Sequence, residues 1–138
     1  MRGTTQARIE ARGESATRRD DEAIRKTIAD NTLAFNHRDV KGLVQHVAQH
    51  GDHIGVSGDW TSGRDALERS LTEYFKTPRP TTEDKVEQIR YIAADVAIAI
   101  VKRVYQSQTG TRNSVSTYVF HKTQGGWEIE AFQNTFVQ

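Results

Sequence analysis

The sequence predicts an α+β domain in which about three N-terminal helices pack on one side of a curved antiparallel sheet. Three observations support this prediction. Apolar residues recur at intervals of three and four between residues 20 and 75, as on the buried face of a helix. Pro78 and Pro80 then interrupt the helical pattern. From Thr82 onward apolar and polar residues alternate, as in strands with one buried face.

The composition is that of one domain preceded by a polar segment. The chain has 138 residues and no cysteine, which excludes disulfides, thiol nucleophiles and thiolate metal sites. Residues 1–19 hold five arginines and two glutamates, and we expect them to form a flexible basic leader before a domain of residues 20–138. Subtracting these from 19 basic and 18 acidic residues leaves 14 and 16, which argues against a nucleic-acid surface. Without an apolar membrane span or a signal peptide, a cytoplasmic location is expected.

Each helix is predicted from a start signal and an apolar face. Asp20 suits the first turn of a helix, where carboxylates are favoured. The inner face of this helix would carry Ile24, Ile28, Asn31 and Phe35. Asp39 can cap a second, shorter helix that ends at Gly51 and turns inward Val40, Leu43, Val44 and Val47. A third helix begins at Ser62-Gly63-Arg64-Asp65, with an inner stripe of Ala66, Leu67, Leu71 and Phe75.

Five strands complete the predicted fold. A short strand lies near residues 53–57, and four longer ones cover about residues 84–92, 95–107, 112–122 and 126–137. If Thr109-Gly110 is a two-residue turn, Val101 lies opposite Tyr118 and Arg103 opposite Ser116. If Gln124-Gly125 is another, Phe120 faces Ile129, Tyr118 faces Ala131 and Ser116 faces Gln133.

This register divides the sheet into two faces. One face would hold Ala97, Ala99, Val101, Arg103, Tyr105, Ser114, Ser116, Tyr118, Phe120, Trp127, Ile129, Ala131 and Gln133. The other would hold Ile98, Ile100, Lys102, Val104, Val115, Thr117, Val119, Glu128, Glu130 and Phe132. The first face becomes polar at one end, so helices lying over it can leave a cavity with a few convergent polar groups. The second face is rich in β-branched residues, which predicts a homodimer formed through it, with a mixed solvent-exposed face as the alternative.

Several segments resemble the NTF2-like superfamily, the cone-shaped α+β fold of the SnoaL-like polyketide cyclases and ketosteroid isomerase. More narrowly, the chain is similar to the SgcJ/EcaC (DUF4440) branch, which points to natural product biosynthesis. The resemblance covers about residues 20–137 and rests on the order and spacing of short motifs. These motifs are Asp21-Glu22-Ala23-Ile24-Arg25, Phe35-Asn36-His37-Arg38-Asp39, Gly58-Asp59-Trp60-Thr61-Ser62-Gly63-Arg64-Asp65-Ala66, Asp95-Val96-Ala97 and Gly126-Trp127-Glu128-Ile129-Glu130-Ala131-Phe132-Gln133-Asn134-Thr135.

The resemblance implies a pocket protein, often dimeric, that is either an enzyme or a plain binding domain. Ketosteroid isomerase has its catalytic aspartate on the strand after the second helix, where this chain has His53-Ile54-Gly55-Val56-Ser57. The predicted inner face also lacks the carboxylate of the polyketide cyclases. The aspartates that flank the arginine of limonene epoxide hydrolase are not found around Arg103. We therefore expect cofactor-independent isomerase, cyclase or hydrolase chemistry on a polyketide-like or other apolar molecule, or non-catalytic binding in the same cavity.

Three residues are the candidate catalytic groups. His53 is the candidate base, because histidine titrates near neutral pH, although a surface histidine at a strand end is an equal alternative. Arg103 and Tyr118 are candidates to polarise a ligand oxygen, unless Arg103 pairs with an acid at the rim. Asn134 points outward by alternation unless a bulge reverses it. The candidate ligand-binding residues are Phe35, Trp60, Phe75, Tyr105, Ser116, Phe120, Gln133 and Asn134.

No metal or cofactor is predicted. His46 and His50 would share one face of a helix and could bind zinc, but histidines near a helix C-terminus are favoured by the helix dipole alone. The phosphate- and dinucleotide-binding glycine motifs and the nucleophilic serine motif are not present in the sequence.

Overall fold

The computed structural model describes the backbone of residues 2–138 and the side chains of residues 17–138. Three helices, α1 (Arg2–Asn36), α2 (Val40–Val44) and α3 (Arg64–Tyr74), accompany six strands. The strands are β1 (Val47–Ile54), β2 (Trp60–Ser62), β3 (Thr81–Ala93), β4 (Val96–Ser107), β5 (Gly110–Thr123) and β6 (Gly126–Phe136). They form one sheet in the order β2-β1-β6-β5-β4-β3, antiparallel except for the parallel β1–β6 pair. The predicted α+β architecture is confirmed.

The helix predicted to begin at Asp20 begins at Arg2. Asp20 is therefore not at a helix N-terminus, and its carboxylate accepts hydrogen bonds from Trp127 Nε1 at 3.1 Å and Lys122 Nζ at 2.8 Å. These contacts attach α1 to the sheet. Ile24 and Ile28 are buried between the helix and the sheet. Whether residues 1–19 act as a flexible leader stays a prediction, since Met1 and the side chains of residues 1–16 lie outside the described residues.

The second helix is shorter than predicted, and a strand replaces its end. Asp39 caps α2 as expected, with its Oδ1 accepting from the Gly42 amide at 3.0 Å. Val47, however, starts β1, and Gly51 lies within that strand instead of ending a helix. A side chain at position 51 would meet the carbonyl oxygen of Ile129 at 2.8 Å, so the glycine permits β1 and β6 to approach closely. Val56 and Ser57, predicted as strand, form a turn.

The first predicted hairpin turn is wrong by one residue and the second is confirmed. Ser107 pairs with Gly110, so Gln108 and Thr109 are the turn residues, and Val101 lies opposite Ser116. The Ser107 hydroxyl bonds within this turn, accepting from the Thr109 amide at 3.3 Å. The error shifts the pairing by two residues and therefore leaves the predicted face of every residue in β4 and β5 unchanged.

A β-bulge in β6 reverses the predicted faces at the end of the chain. Phe120 pairs with Ile129 as predicted, but Val119 pairs with Ala131, so Glu130 has no partner in β5. Beyond this extra residue, Phe132 and Asn134 are buried on the inner face, and Gln133 is exposed on the outer face. The placement of Ala131 and Gln133 on the inner face and of Phe132 on the outer face is therefore wrong.

The outer face of the sheet is partly exposed in the single chain. Ile98, Ile100, Val104, Val115 and Val119 are each half-buried there. The homodimer through this face stays a prediction. No helix among the described residues is both long and apolar enough to span a membrane.

The bulge predicts that truncating two neighbouring residues lowers the stability by very different amounts. We expect Phe132→Ala to lower the free energy of unfolding by about 3 kcal/mol, because it removes a buried ring. We expect Gln133→Ala to change it by less than about 0.5 kcal/mol, because that side chain is exposed. Urea denaturation of both variants measures the difference, and a larger loss in Gln133→Ala would contradict the bulge.

Candidate functional site

A cavity of about 700 Å³ lies between the inner face of the sheet, the C-terminal part of α1, and helices α2 and α3. This volume is within the range of small-molecule sites. Most of its inner wall is apolar and includes Phe35, Leu43, Val47, Leu67, Leu71, Ile129 and Phe132. The mouth is bordered by residues 55–59 after β1, residues 79–80 before β3, and the β4–β5 hairpin.

Phe132 lies at the centre of the polar part of the wall. The His53 ring stacks on it, with centroids 4.9 Å apart and planes at 22°. Tyr118 contacts it edge to face at 4.8 Å, and the Arg103 guanidinium carbon lies 5.6 Å from its centroid. The three predicted catalytic side chains therefore converge around one ring, and the bulge at Glu130 turns that ring inward.

His53 is a neutral imidazole on the cavity wall. Burial, together with the nearby positive charge of Arg103, lowers the pKa of His53 from 6.5 to about 4. Its ring forms no hydrogen bond with residues 17–138, so its nitrogens are available to a ligand in the cavity. The expectation of a base that titrates near neutral pH is wrong, because the site disfavours the imidazolium form.

Arg103 forms a buried ion pair with Asp84. Its Nε and Nη2 donate to the two carboxylate oxygens of Asp84 at 2.7 and 3.1 Å. Thr32 on α1 donates to the same carboxylate at 2.6 Å. Both charged side chains are nearly inaccessible, at 9% and 3% exposure, so the pair is an internal one and not a rim contact. Removing either partner alone would leave a buried charge unpaired, a change that costs about 3–5 kcal/mol.

Tyr105 connects this ion pair to the end of β6. Its phenol oxygen accepts hydrogen bonds from Asn134 Nδ2 and, at 3.5 Å, from Arg103 Nη1. Asn134 is held in turn by Ser116, whose hydroxyl donates to Asn134 Oδ1 at 2.9 Å. The phenol proton of Tyr105 has no acceptor among residues 17–138, and it can therefore be donated to a ligand oxygen.

Tyr118 and Asn31 lie at the inner end of the cavity. Tyr118 is 1% exposed, and burial raises the pKa of its phenol, although the positive charge of Arg103 opposes this shift. Its hydroxyl is thus protonated at neutral pH. Asn31 on α1 is also buried, and its Oδ1 accepts no hydrogen bond from the described residues.

The structure places about half of the predicted site residues at the cavity. His53, Arg103 and Tyr118 line it, together with Phe35, Tyr105 and Asn134. Ser116 and Phe120 are buried behind the wall, where Ser116 supports Asn134 and Phe120 stacks on Tyr118. Phe75 contacts Phe35 from outside the cavity.

Two predicted ligand-binding residues lie away from the cavity. Trp60 is on strand β2, 71% exposed, with its indole nitrogen donating to Asp52 at 2.8 Å. Gln133 is on the outer face because of the bulge. Neither side chain is placed to contact a molecule in the cavity.

Asp84, Asn31 and Phe132 belong to the site although they were not predicted from the sequence as site residues. Asp84 corrects the expectation that no carboxylate faces inward, although Arg103 already neutralises it. The inward alternation of Thr82, Asp84 and Val86 was a signal for it. Asn31 shared the predicted inner face of α1, but a single amide among apolar residues does not distinguish a ligand contact from a structural bond.

The histidine pair considered for zinc is not arranged as predicted. His46 follows α2 in a turn and His50 lies in β1, so the two do not share a helix face. Within the described residues, no group of three histidine, cysteine or acidic side chains is close enough to hold a metal ion.

Comparison with known proteins agrees with this fold. Residues 24–135 match the SnoaL-like domain. No curated protein matches the chain. A solved protein of unknown function from Nostoc punctiforme, with a cystatin-like fold, is similar over 86% of this chain and 78% of its own, with 26% identity and a TM-score of 0.80.

Two further solved structures share the fold at lower identity. A ketosteroid isomerase-like protein from Erwinia carotovora is 13% identical, with a TM-score of 0.73 over 85% of this chain and 95% of its own. An NTF2-like protein of unknown function from Shewanella oneidensis is 15% identical, with a TM-score of 0.75 over 83% and 98%. The predicted NTF2-like fold is confirmed, while the SgcJ/EcaC branch is not tested.

The lowered pKa of His53 predicts a pH dependence of stability. Between about pH 4 and 6.5 the unfolded chain binds a proton that the folded chain does not bind. The titration of His53 therefore does not affect the free energy of unfolding above pH 6.5. It lowers this free energy as the pH falls from 6.5 to 4, by a total of about 3 kcal/mol.

Urea denaturation across this pH range measures the effect in wild type and in His53→Gln. We expect a shallower pH dependence in His53→Gln only, with the exposed His50→Gln variant as the matched control. Equal slopes in all three proteins would mean that His53 titrates normally in the folded state.

Proposed function

The chain belongs to the SnoaL-like domain family, and we propose that its cavity binds a small, largely apolar organic molecule and moves a proton on it without a cofactor. The observation that carries this proposal is the convergence of a neutral imidazole with a free ring, a phenol proton donor and a guanidinium on one apolar cavity. A base and a group that stabilises a developing oxyanion are the two requirements of proton abstraction beside a carbonyl.

The proposed step begins with a ligand carbonyl near Tyr105 and Arg103. His53 accepts a proton from the carbon next to the carbonyl, and the electron pair of the C–H bond forms an enolate. Tyr105 donates its phenol proton in a hydrogen bond to the enolate oxygen, and Arg103 stabilises the negative charge. Tyr118 is a second candidate donor. Return of the proton from His53 to another carbon completes an isomerisation. In a cyclisation, the enolate carbon instead attacks a second carbonyl of the ligand, and the proton held by His53 passes to the alkoxide that forms.

The side chains that line the cavity indicate the class of substrate. Aromatic and aliphatic side chains favour a flat, mostly apolar molecule of polyketide-like type. The placement in the SgcJ/EcaC (DUF4440) branch, and with it a role in natural product biosynthesis, belongs to this proposal and rests on motifs such as Gly126-Trp127-Glu128. The ketosteroid isomerase-like neighbour supports an isomerase-type fold.

Non-catalytic binding is the second candidate, and two observations favour it. A histidine with a pKa of about 4 is a weak base toward a carbon acid. The inward carboxylate of Asp84 is paired with Arg103 and held by Thr32, so it is not free to act as a base. A binding or accessory protein would use the same cavity without turnover.

Hydrogen–deuterium exchange into 2-tetralone, a bicyclic ketone with acidic protons beside its carbonyl, separates the two candidates. We expect wild type to accelerate exchange in D₂O above the buffer rate. His53→Gln should reduce the catalysed rate by about 100-fold, the lower end of the range for general-base catalysis. Tyr105→Phe should also reduce it, because the enolate oxygen loses a donor. NMR of the ketone follows the exchange, with His50→Gln as the matched control.

One result would contradict catalysis and another the role of His53. Binding of 2-tetralone without acceleration in wild type would favour the non-catalytic candidate. Equal rates in wild type and His53→Gln would remove His53 as the base.

A further inference from the structure

Two arginines lie at the mouth of the cavity, at one end of the sheet. Arg79 lies two residues before β3, and Arg112 lies near the start of β5. These strand ends are adjacent, because Thr81 pairs with Gln106 and Gln106 with Thr111. Both arginines are exposed and both line the cavity.

Both guanidinium groups are oriented by aromatic rings. The guanidinium carbon of Arg79 lies 3.9 Å from the ring centroid of Tyr74, and its Nε donates to the Tyr74 carbonyl at 2.8 Å. The guanidinium carbon of Arg112 lies 3.4 Å from the centroid of Phe136. Stacking on a ring restricts a guanidinium while leaving its edge donors free to bind an anion.

Neither guanidinium is neutralised by the protein. Within residues 17–138, no carboxylate forms a salt bridge with Arg79 or Arg112. The neighbouring Arg38 differs, because its guanidinium donates to the carbonyls of Phe35, Arg79 and Pro80. Arg38 thus fixes the loop that carries Arg79, and the terminal nitrogens of Arg79 stay available at the mouth.

The charge of the cavity is divided between its two ends. Inside, the charge of Arg103 is compensated by Asp84 and the other walls are uncharged. Among the residues that line the mouth, Arg79 and Arg112 carry two positive charges and Asp59 one negative charge, which leaves one positive charge. A ligand that matches both ends has an apolar body and a single negative charge at one end.

From this arrangement we propose that the ligand is an organic acid whose carboxylate binds to Arg79 and Arg112 at the mouth while its apolar body fills the cavity. This inference rests on the proposed function, because it specifies the ligand of the same cavity. A carboxylate fits because it carries one negative charge and accepts two hydrogen bonds in the plane of a guanidinium. His53 and Tyr105 would then face the part of the ligand inside the cavity.

A pair of probes of equal shape tests the inference. The probes are 2-naphthoate and its neutral analogue 2-naphthamide, and their dissociation constants are measured by calorimetry at two salt concentrations. We expect 2-naphthoate to bind wild type at least tenfold more tightly, with an affinity that falls as salt rises. The affinity for 2-naphthamide should not depend on salt.

Matched variants test whether Arg79 and Arg112 bind the carboxylate of 2-naphthoate. Arg79→Gln and Arg112→Gln should each weaken 2-naphthoate binding by about tenfold and leave 2-naphthamide binding unchanged, as expected for loss of a charge-assisted bond. Arg69→Gln removes the same charge from the exposed surface of α3, away from the cavity, and should change neither affinity by more than about twofold.

The outcomes separate this inference from the proposed function. Equal affinities for the two probes, or an equal effect of all three variants, would overturn the carboxylate site while leaving the cavity as a ligand site. Failure of both probes to bind would overturn the proposed function together with this inference.

Discussion

One extra residue in the last strand determines the chemistry of the cavity. Glu130 has no partner in β5, and the strand therefore changes face between Ile129 and Phe132. Without this bulge Gln133 would point inward, and Phe132 and Asn134 would point outward. With it, Phe132 becomes the ring on which His53 stacks, and Asn134 becomes the amide that bonds Tyr105. Bulges often change the direction of side chains near functional sites. This bulge lets β6 contact polar side chains of β1 and β4 on one cavity wall.

The second constraint is charge compensation within the wall. Arg103 would be costly to bury alone, and Asp84 on the neighbouring strand pairs with two of its nitrogens. The interior can therefore offer guanidinium donors without a large net field. Burial, together with the positive charge of Arg103, still lowers the pKa of His53, so the imidazole stays neutral. The cavity is thus suited to a neutral reacting group, while its unneutralised charges lie at the mouth.

Periodicity in the sequence was sufficient to predict the fold and most of the residues on the inner face of the sheet. The alternation from Ala97 to Phe120 survived an error of two residues in the β4–β5 register, because the side-chain period of a strand is two. Periodicity did not predict the faces of Phe132, Asn134 and Gln133, because no residue around Glu130 indicates a bulge in the sequence. The end of α2 was also predicted too late, because the apolar residues from Val40 to Val47 fit helical spacing. The strand that contains Gly51 is evident only from the close contact of this glycine with β6. The partnership of Arg103 with Asp84 depends on the register of β3 against β4, for which no hairpin turn was predicted from the sequence.

The central claim is that the bulge at Glu130 places Phe132 against His53 on the cavity wall. Nuclear Overhauser effects between assigned side chains of the free protein test this claim without any ligand. The account predicts strong effects between the ring protons of His53 and Phe132, whose centroids lie 4.9 Å apart, and between Phe132 and Tyr118. Effects from His53 or Tyr118 to the side chain of Gln133, with none to Phe132, would contradict it.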